Sequence, residues 1–195
     1  AYYPDAFISV MTRPSTAPLV EGHAAVDEVI PYCYEKKGRH FSLLGNLRFL
    51  KEISRRRFDI CFILHPSVRS HLVPFVSGIR IRIGFNSVMP FLLTKGVKDT
   101  RHLGLKHESE YALDIVRAFG VPALESRGQG VPFFSENIRK VEKFFNQKRI
   151  AIHPGSSCPS KRWPVERYAR LLRMILDRTA YGIAVIGGEP ENKLG

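Results

Sequence analysis

Hydrophobic residues along the chain alternate between short branched runs and longer stretches with helical spacing. Short runs rich in Val, Ile and Phe predict strands, because branched and aromatic side chains fit a pleated sheet. Apolar residues at every third or fourth position predict amphipathic helices. The predicted strands are residues 6–12, 26–32, 58–66 and 79–85, and the predicted helices are residues 41–57, 67–78 and 107–121.

The ends of these helices carry recognisable signals. Ser42 and Ser67 stand where an N-cap accepts a hydrogen bond from the first turn, and Gly120 stands where a helix stops. Regular alternation of strands and helices is typical of an open, mostly parallel sheet with helices on both faces. One parallel sheet should then contain the predicted strands of residues 6–12, 59–64 and 81–84.

The alternation breaks at residues 120–134, where three glycines and two prolines occur without periodicity. Such a stretch is typical of a linker. A second strand–helix–strand pattern follows it, over residues 149–155, 164–179 and 182–191. We therefore predict an α/β protein with two domains, residues 1–130 and residues 131–195. We expect the first strand of the first domain to be missing and the second domain to be truncated.

Positive charge is concentrated in the predicted first domain. The chain has 30 Lys and Arg residues, 18 Asp and Glu residues and a net charge of +12. Residues 36–107 hold 15 of the basic residues but only three acidic ones. A field of this sign attracts polyanions such as nucleic acid, anionic lipid or a phosphorylated substrate. A surface that only maintains solubility is the alternative, which an even distribution of these charges would favour.

The hydrophobic content, the lengths of the apolar runs and the cysteines indicate a soluble globular protein. A hydrophobic content of 44% and a charged content of 25% are ordinary for a soluble globular protein. No apolar run approaches the ~18 residues of a membrane span. The chain has three cysteines, an odd number, and they lie far apart in the sequence: Cys33, Cys61 and Cys158. Neither a disulfide framework nor a zinc site is therefore expected, and a reducing cytoplasm fits best.

The segment HPGSSCPSKRWPVE contains the clearest candidate for a binding site. It follows a predicted parallel strand, and ligands of open α/β sheets bind at the carboxyl ends of strands. Lys161 offers a cation, and Pro164 begins a helix whose N-terminus attracts anions. The pattern favours a phosphate site, although a capped turn would contain the same kinds of residue. The candidate residues of this segment are Gly155, Ser156, Ser157 and Lys161.

A second group of candidate residues follows the next strand, in the segment VIGGEPE. Gly187 and Gly188 allow a ligand to approach the backbone closely, and Glu191 offers a carboxylate to the two hydroxyls of a ribose. Acidic residues beside Pro190 are equally expected in the first turn of a helix, so this segment alone leaves both interpretations open.

Two blocks of sequence resemble the lipopolysaccharide heptosyltransferases of glycosyltransferase family 9. The block HPGSSCPSKRWPVERYARLL, followed by AVIGGEPE, is similar to the start of their nucleotide-binding half. The block RFDICFILHPSVRSHLVPFVSGIRIRIGF is similar to a part of their first half, with an Asp-led apolar strand, an Arg-Ser helix and an Arg-x-Gly-Phe strand. The order and spacing of the two blocks agree with the family over nearly the whole chain.

The resemblance implies a GT-B fold with two Rossmann-like domains. It also implies transfer of heptose from ADP-L-glycero-D-manno-heptose to the inner core of lipopolysaccharide. The anomeric configuration would invert, without a metal or other cofactor. Ser156, Ser157 and Lys161 would hold the donor diphosphate, and Glu191 the adenosine ribose. The donor-binding residues implied in this way are Gly155, Ser156, Ser157, Lys161, Gly187, Gly188 and Glu191.

The resemblance further implies that the basic first domain faces an acceptor carrying carboxylates and phosphates. His65, Arg69 and Arg82 are the residues expected to contact it, with Arg69 and Arg82 on one side of the domain. An anionic acceptor accounts for the charge better than nucleic acid does. The protein would be cytoplasmic, and peripheral contact with the inner membrane stays open, since Arg55–Arg57 end a helix with three cations.

In the family the catalytic base is an aspartate after the first strand, which would lie upstream of Ala1. No catalytic residue is therefore expected in this chain, and we expect the chain to be inactive alone. Two alternatives remain open at this point. One is a related transferase that uses another nucleotide sugar. The other is a non-enzymatic α/β protein that binds polyanions, although no recognised nucleic-acid-binding motif appears.

Overall fold

The computed structural model describes residues 2–122, 135–142, 148–156 and 158–187. The chain divides into two compact units, Ala1–Pro132 and Phe133–Gly195. The first unit contains the strands β1 (Ser9–Thr12), β2 (Glu28–Pro31), β3 (Ile60–Ile63), β4 (Ile81–Phe85) and β5 (Lys95–Val97), and the helices α1 (Leu43–Arg55), α2 (Val68–Val76) and α3 (Glu108–Ala118). The second unit contains α4 (Ser135–Glu142), β6 (Arg149–Ile152), α5 (Val165–Arg178) and β7 (Gly182–Val185).

The strands of the first unit form two parallel sheets rather than one. β1 pairs with β2, while β3 pairs with β4 and β4 with β5. The prediction that β1, β3 and β4 share one sheet is therefore wrong for the described residues. The reason is that β1 hydrogen-bonds to β2 and β3 to β4, and no described strand bridges β1 and β3. In the second unit, β6 pairs in parallel with β7.

The starts of α1 and α2 and the end of α3 lie where the sequence predicts them. The Ser42 hydroxyl accepts a hydrogen bond from the Gly45 N–H at 3.1 Å and so caps α1. Ser67 and Ser70 form a reciprocal capping box at the start of α2, with the two N–H to hydroxyl distances at 2.9 and 3.1 Å. Gly120 follows α3 with φ at 98°, a left-handed conformation that glycine adopts without strain.

Two apolar clusters stabilise the first unit. One joins β2 to α1 and α2, and the other joins β4 to α3. Burying such a side chain contributes roughly 1.5–3 kcal/mol relative to leaving it exposed. The buried members of the first cluster are Ile30, Tyr32, Phe49, Ile53, Val73 and Ile79, and those of the second are Ile83, Phe85, Tyr111 and Ile115.

An aromatic stack directly after β2 belongs to the first cluster. The Tyr32 ring lies 4.5 Å from the Phe49 ring, centroid to centroid, at an interplanar angle of 12°. Its hydroxyl donates a hydrogen bond to Asn46 Oδ1 at 2.8 Å, and burial raises the pKa of Tyr32. The His40 ring lies beside Phe49, and burial lowers the pKa of that histidine. The stacked rings therefore form an uncharged, packed support for the residues that follow β2.

A hydrogen-bonded ion pair fixes the segment between β5 and α3. Arg101 donates from Nε and Nη2 to the two carboxylate oxygens of Asp99, at 2.9 and 2.8 Å. Ser87 Oγ donates to the same carboxylate at 2.8 Å. Arg101 also lies over the ring of the buried Phe85, with its Cζ 4.4 Å from the centroid. Arg101, and to a lesser extent Ser87, hold the pKa of Asp99 well below its usual range.

Candidate functional site

The segment after β6 lies at the carboxyl edge of the β6–β7 sheet. β6 and β7 run in parallel with Ala151 opposite Ala184, and the Ile186 N–H donates to the Ile152 carbonyl at 2.8 Å. Gly155, after β6, and Gly187, after β7, therefore follow strands that end at the same edge. This is the edge at which open α/β sheets bind their ligands.

Hydrogen bonds join Ser156 to the described residues that lead into α5. The Ser156 hydroxyl accepts from the Cys158 N–H at 3.3 Å, and Arg162 Nε donates to the Ser156 carbonyl at 2.8 Å. A short 3-10 turn, Pro159–Lys161, follows, in which the Lys161 N–H donates to the Cys158 carbonyl at 3.0 Å. Ser156 is thereby held at a fixed place near the start of α5, and the Lys161 side chain is exposed.

The start of α5 has no side-chain cap. The helix begins at Val165, one residue later than the sequence predicts, and its N-cap, Pro164, has no side-chain acceptor for the first turn. The first N–H groups of a helix then remain available to an external acceptor and carry the positive end of the helix dipole. Together with Lys161 and Arg162, this gives the loop the charge and donors of an anion site.

One thiol lies within this loop. Cys158 Sγ is 3.0 Å from the Ser160 hydroxyl, and this hydrogen bond lowers the pKa of the Cys158 thiol. The helix N-terminus and the neighbouring cations favour negative charge in the same region. A thiolate at this position would therefore be stabilised chiefly by the Ser160 hydroxyl.

A second set of polar residues lies at the carboxyl ends of the strands of the first unit. Arg69 is the second residue of α2, and its Cζ lies 4.7 Å from the centroid of the Tyr34 ring. His65 follows β3 and is exposed, and its carbonyl accepts a hydrogen bond from Ser70 Oγ at 2.7 Å. The structure thus places His65 and Arg69 at one end of this unit, as the sequence predicts.

Arg82 lies elsewhere. It is the second residue of β4, opposite Cys61 near the start of β3, so it is close to the amino ends of these strands. Its guanidinium donates to the carbonyls of Leu92, at 2.7 Å, and of Ile79. The expected grouping of Arg82 with Arg69 is therefore not formed, because the Arg82 side chain is occupied by backbone acceptors at the other end of the sheet. A role for Arg82 in acceptor binding stays a prediction.

The model of glycosyltransferase family 9 (heptosyltransferase) matches residues 46–194, which include both of these regions. The chain belongs to glycosyltransferase family 9. It is 27% identical to lipopolysaccharide heptosyltransferase 2 of Escherichia coli and 26% identical to lipooligosaccharide heptosyltransferase 2 of Haemophilus influenzae. These alignments cover 100% and 99% of this chain and 58% of each relative, so the chain spans a little over half the length of these relatives.

Solved structures of the family share the fold of this chain. The family 9 glycosyltransferase of Veillonella parvula gives a TM-score of 0.77 at 24% identity, over 96% of this chain and 56% of that one. ADP-heptose lipopolysaccharide heptosyltransferase II of Escherichia coli gives a TM-score of 0.74 at 25% identity, over 98% of this chain and 58% of that one. The GT-B fold class predicted from the sequence is confirmed.

Some of the site residues predicted for this family 9 chain lie outside the described ranges. Two residues that contact the candidate sites in the structure were not predicted. Ser157, Gly188 and Glu191 are outside the described residues, so their proposed contacts with the donor stay predictions. The sequence analysis did not predict that Arg162 binds the Ser156 carbonyl, although its position directly after Lys161 indicates that it belongs to the same loop. Tyr34 was also missed, because nothing in its local sequence indicates that an arginine after another strand stacks on it.

Proposed function

We propose that this chain forms the acceptor side and the start of the donor side of a heptosyltransferase. It would transfer heptose from ADP-L-glycero-D-manno-heptose to the anionic inner core of lipopolysaccharide, with a boundary between the two sides near residue 130. The observation that carries the proposal is the family 9 match, which spans a loop with an exposed lysine and an uncapped helix start. The names of the relatives support heptose as the sugar and lipopolysaccharide as the acceptor.

The loop after β6 suits the diphosphate of the donor. In the proposed reaction an acceptor hydroxyl attacks the anomeric carbon, the bond from that carbon to the diphosphate breaks, and ADP leaves with the bonding electrons. Negative charge on the diphosphate grows as the bond breaks, and Lys161 and the N–H groups at the start of α5 would stabilise it. Gly155, Ser156 and Gly187 would let the donor approach the backbone. The proposal requires no metal or other cofactor, and it assigns the base that takes the hydroxyl proton to no residue of this chain.

The edge formed by His65 and Arg69 suits the acceptor. Both residues follow β3, and both are exposed. A guanidinium binds carboxylate and phosphate groups through a planar fork of donors, so Arg69 fits an acceptor that carries either group. His65 offers a ring nitrogen to a sugar hydroxyl.

The experiment that tests this function is a transfer assay with the complete gene product. The donors are ADP-heptose, ADP-glucose and UDP-glucose, and the acceptor is lipopolysaccharide core that lacks the added heptose. We expect a mass increase of one heptose with ADP-heptose alone. Transfer from another nucleotide sugar would favour a related transferase. Absence of any transfer, together with tight, salt-sensitive binding to duplex DNA, would favour the nucleic-acid alternative.

We also propose that the protein contacts the inner membrane peripherally, through the exposed side of α1. Leu43, Leu44 and Leu47 are 79%, 59% and 53% exposed, and they lie on the side of the helix away from the buried Phe49. Lys51 continues this side, one turn after Leu47. An apolar stripe with adjacent cations is typical of helices that lie in the interface of an anionic bilayer. No helix among the described residues is long and apolar enough to cross a membrane.

The double variant Leu44→Gln, Leu47→Gln should weaken the binding constant for vesicles at least about tenfold, since each buried methylene contributes roughly 0.8 kcal/mol to membrane binding and two leucine side chains are lost. The measurement is flotation with vesicles of phosphatidylethanolamine and phosphatidylglycerol at a ratio of about three to one. Leu105→Gln is the matched control, because Leu105 is 76% exposed and lies outside α1. Equal loss of binding in the control, or no loss in the double variant, would contradict the assignment of this surface.

A further inference from the structure

Arg13 and Tyr34, like Arg69, follow the carboxyl ends of strands of the first unit. Neither of them is among the site residues predicted from the sequence. Arg13 directly follows β1, Tyr34 comes three residues after β2, and Arg69 lies just after β3 at the start of α2. The Arg69 and Arg13 Cζ atoms lie 4.7 and 5.5 Å from the centroid of the Tyr34 ring. One tyrosine therefore contacts two guanidinium groups that come from the ends of two different sheets.

The position of the Tyr34 ring is fixed by the core beneath it. Tyr34 is half-buried, and its ring centroid lies 5.2 Å from that of Tyr32. Tyr32 in turn stacks on Phe49 and is anchored by its hydroxyl to Asn46. The platform for the two arginines is thus set when the first unit folds. Because the groups are ordered before a ligand arrives, less freedom is lost on binding.

The charge of the two arginines is largely uncompensated. Arg13 lies 3.8 Å from Glu35, but both side chains are more than half exposed, and such pairs contribute little. No described carboxylate lies within ion-pair distance of Arg69. A tyrosine ring attracts a cation but carries no negative charge that would neutralise it. Both cations lie within 5.5 Å of the centroid of one ring, so an anion within reach of both would be attracted by two charges.

We propose that Arg13 and Arg69 together bind one oxyanion group of the acceptor, a phosphate or a carboxylate, with Tyr34 as their shared platform. A guanidinium that lies over a ring keeps its N–H donors in its own plane, where they can reach an oxyanion. The identity of the acceptor rests on the proposed function, whereas the anion site itself rests on the geometry around Tyr34. Arg13 is accordingly a binding residue that contributes specificity for anionic acceptors.

The site is tested first without any transfer reaction. The complete gene product is titrated with inorganic phosphate, and the Nε–H signals of its arginines are followed by NMR. We expect the Arg13 and Arg69 signals to shift together and to saturate, with Arg162 as an internal marker for the loop of the second unit. Arg13→Gln should raise the dissociation constant at the Arg69 signal roughly tenfold, the effect of one charge-assisted hydrogen bond. Arg13→Lys should restore part of the affinity, because it keeps the charge but loses the fork.

The matched control is Arg80→Gln, which removes an exposed arginine just before β4, near the amino ends of the strands. It should leave the phosphate affinity at Arg69 unchanged. An equal loss of affinity in Arg80→Gln and Arg13→Gln would show a general effect of net charge and would overturn the site. An unchanged affinity in Arg13→Gln would overturn it as well.

Steady-state kinetics of the complete gene product then connect the site to the acceptor. Arg13→Gln should raise KM for the acceptor roughly tenfold and leave kcat and the donor KM unchanged. If the effect disappears with a dephosphorylated acceptor, the ligand is a phosphate, and if it persists, the ligand is a carboxylate. An unchanged acceptor KM would overturn the link to the acceptor. If the wild-type protein transfers no heptose, the proposed function fails, and the phosphate titration still decides whether the anion site exists.

Discussion

Replacing Lys161 by alanine should slow heptose transfer roughly a hundredfold and weaken binding of the ADP-heptose donor by a smaller factor. The loss of one well-placed electrostatic contact to a developing charge typically costs about 3 kcal/mol. The diphosphate is more negative in the transition state than in the bound donor, so the cation matters most while the sugar is leaving. Lys161 lies in the loop that leads to the uncapped start of α5, and its side chain is exposed, whereas the Nε of the neighbouring Arg162 is bound to the Ser156 carbonyl.

The measurement is steady-state kinetics of the complete gene product, after circular dichroism has shown that each variant folds. Lys148→Ala is the matched control, because Lys148 is exposed and precedes β6, at the opposite edge of the same sheet. Ser156→Ala should cost less than Lys161→Ala, since a neutral donor makes a weaker bond to phosphate than a charged one. An unchanged kcat in Lys161→Ala would contradict the assignment of this loop to the diphosphate, and residues 154–160 would then be only a turn before a helix.

Asp99→Asn should lower the free energy of unfolding of the first unit by about 2 kcal/mol at neutral pH, a typical contribution of hydrogen bonds to a charged group. The substitution removes the charge that receives two hydrogen bonds from Arg101 and one from Ser87. It also removes the partner that holds Arg101 over the buried Phe85 ring. Urea unfolding followed by tyrosine fluorescence measures the difference.

The pH dependence of this effect has a defined sign. The pKa of Asp99 is depressed in the folded protein, so its stabilising contribution is complete above the unfolded pKa of about 4 and is lost as pH falls below that value. Wild type and Asp99→Asn should therefore converge in stability as the solution is acidified through this range. Asp59→Asn is the control, since Asp59 is exposed and no ion pair with it occurs among the described residues. A difference that stays constant down to pH ~2 would show that the carboxylate charge is not responsible.

Much of the local structure was predictable because its causes are local. The caps of α1 and α2 depend on serines within three residues of the N–H groups that they bind, and the strand β3 follows from an almost wholly apolar run. The loop after β6 was predictable for the same reason, since its glycine, hydroxyls and lysine are close together in sequence. β5 was not predicted, because its sequence KGV contains one apolar residue and its lysine and glycine are exposed.

Features that depend on long-range contacts could not be predicted. Hydrophobic periodicity indicates that a strand exists but does not say which strand lies beside it, so the division into two sheets was missed. The position of Arg82 shows the same limit. Arg82 and Arg69 are both arginines of the basic first unit, but the place of Arg82 at the start of β4 directs its guanidinium to backbone carbonyls. The contacts of Arg13 and Arg69 with Tyr34 join residues from three separate segments, and no spacing rule connects them.

The pairing of each strand with a close neighbour in sequence has a consequence for how the protein is made. β1 pairs with β2, β3 with β4, β4 with β5, and β6 with β7, so each ladder closes over a short length of chain. A partner close in sequence costs less loop-closure entropy than a distant one, so these ladders close at a lower entropic cost than pairings between the two ends of the chain would. The two strands of each ladder are therefore available for pairing as soon as the second strand has left the ribosome, before synthesis of the chain is complete.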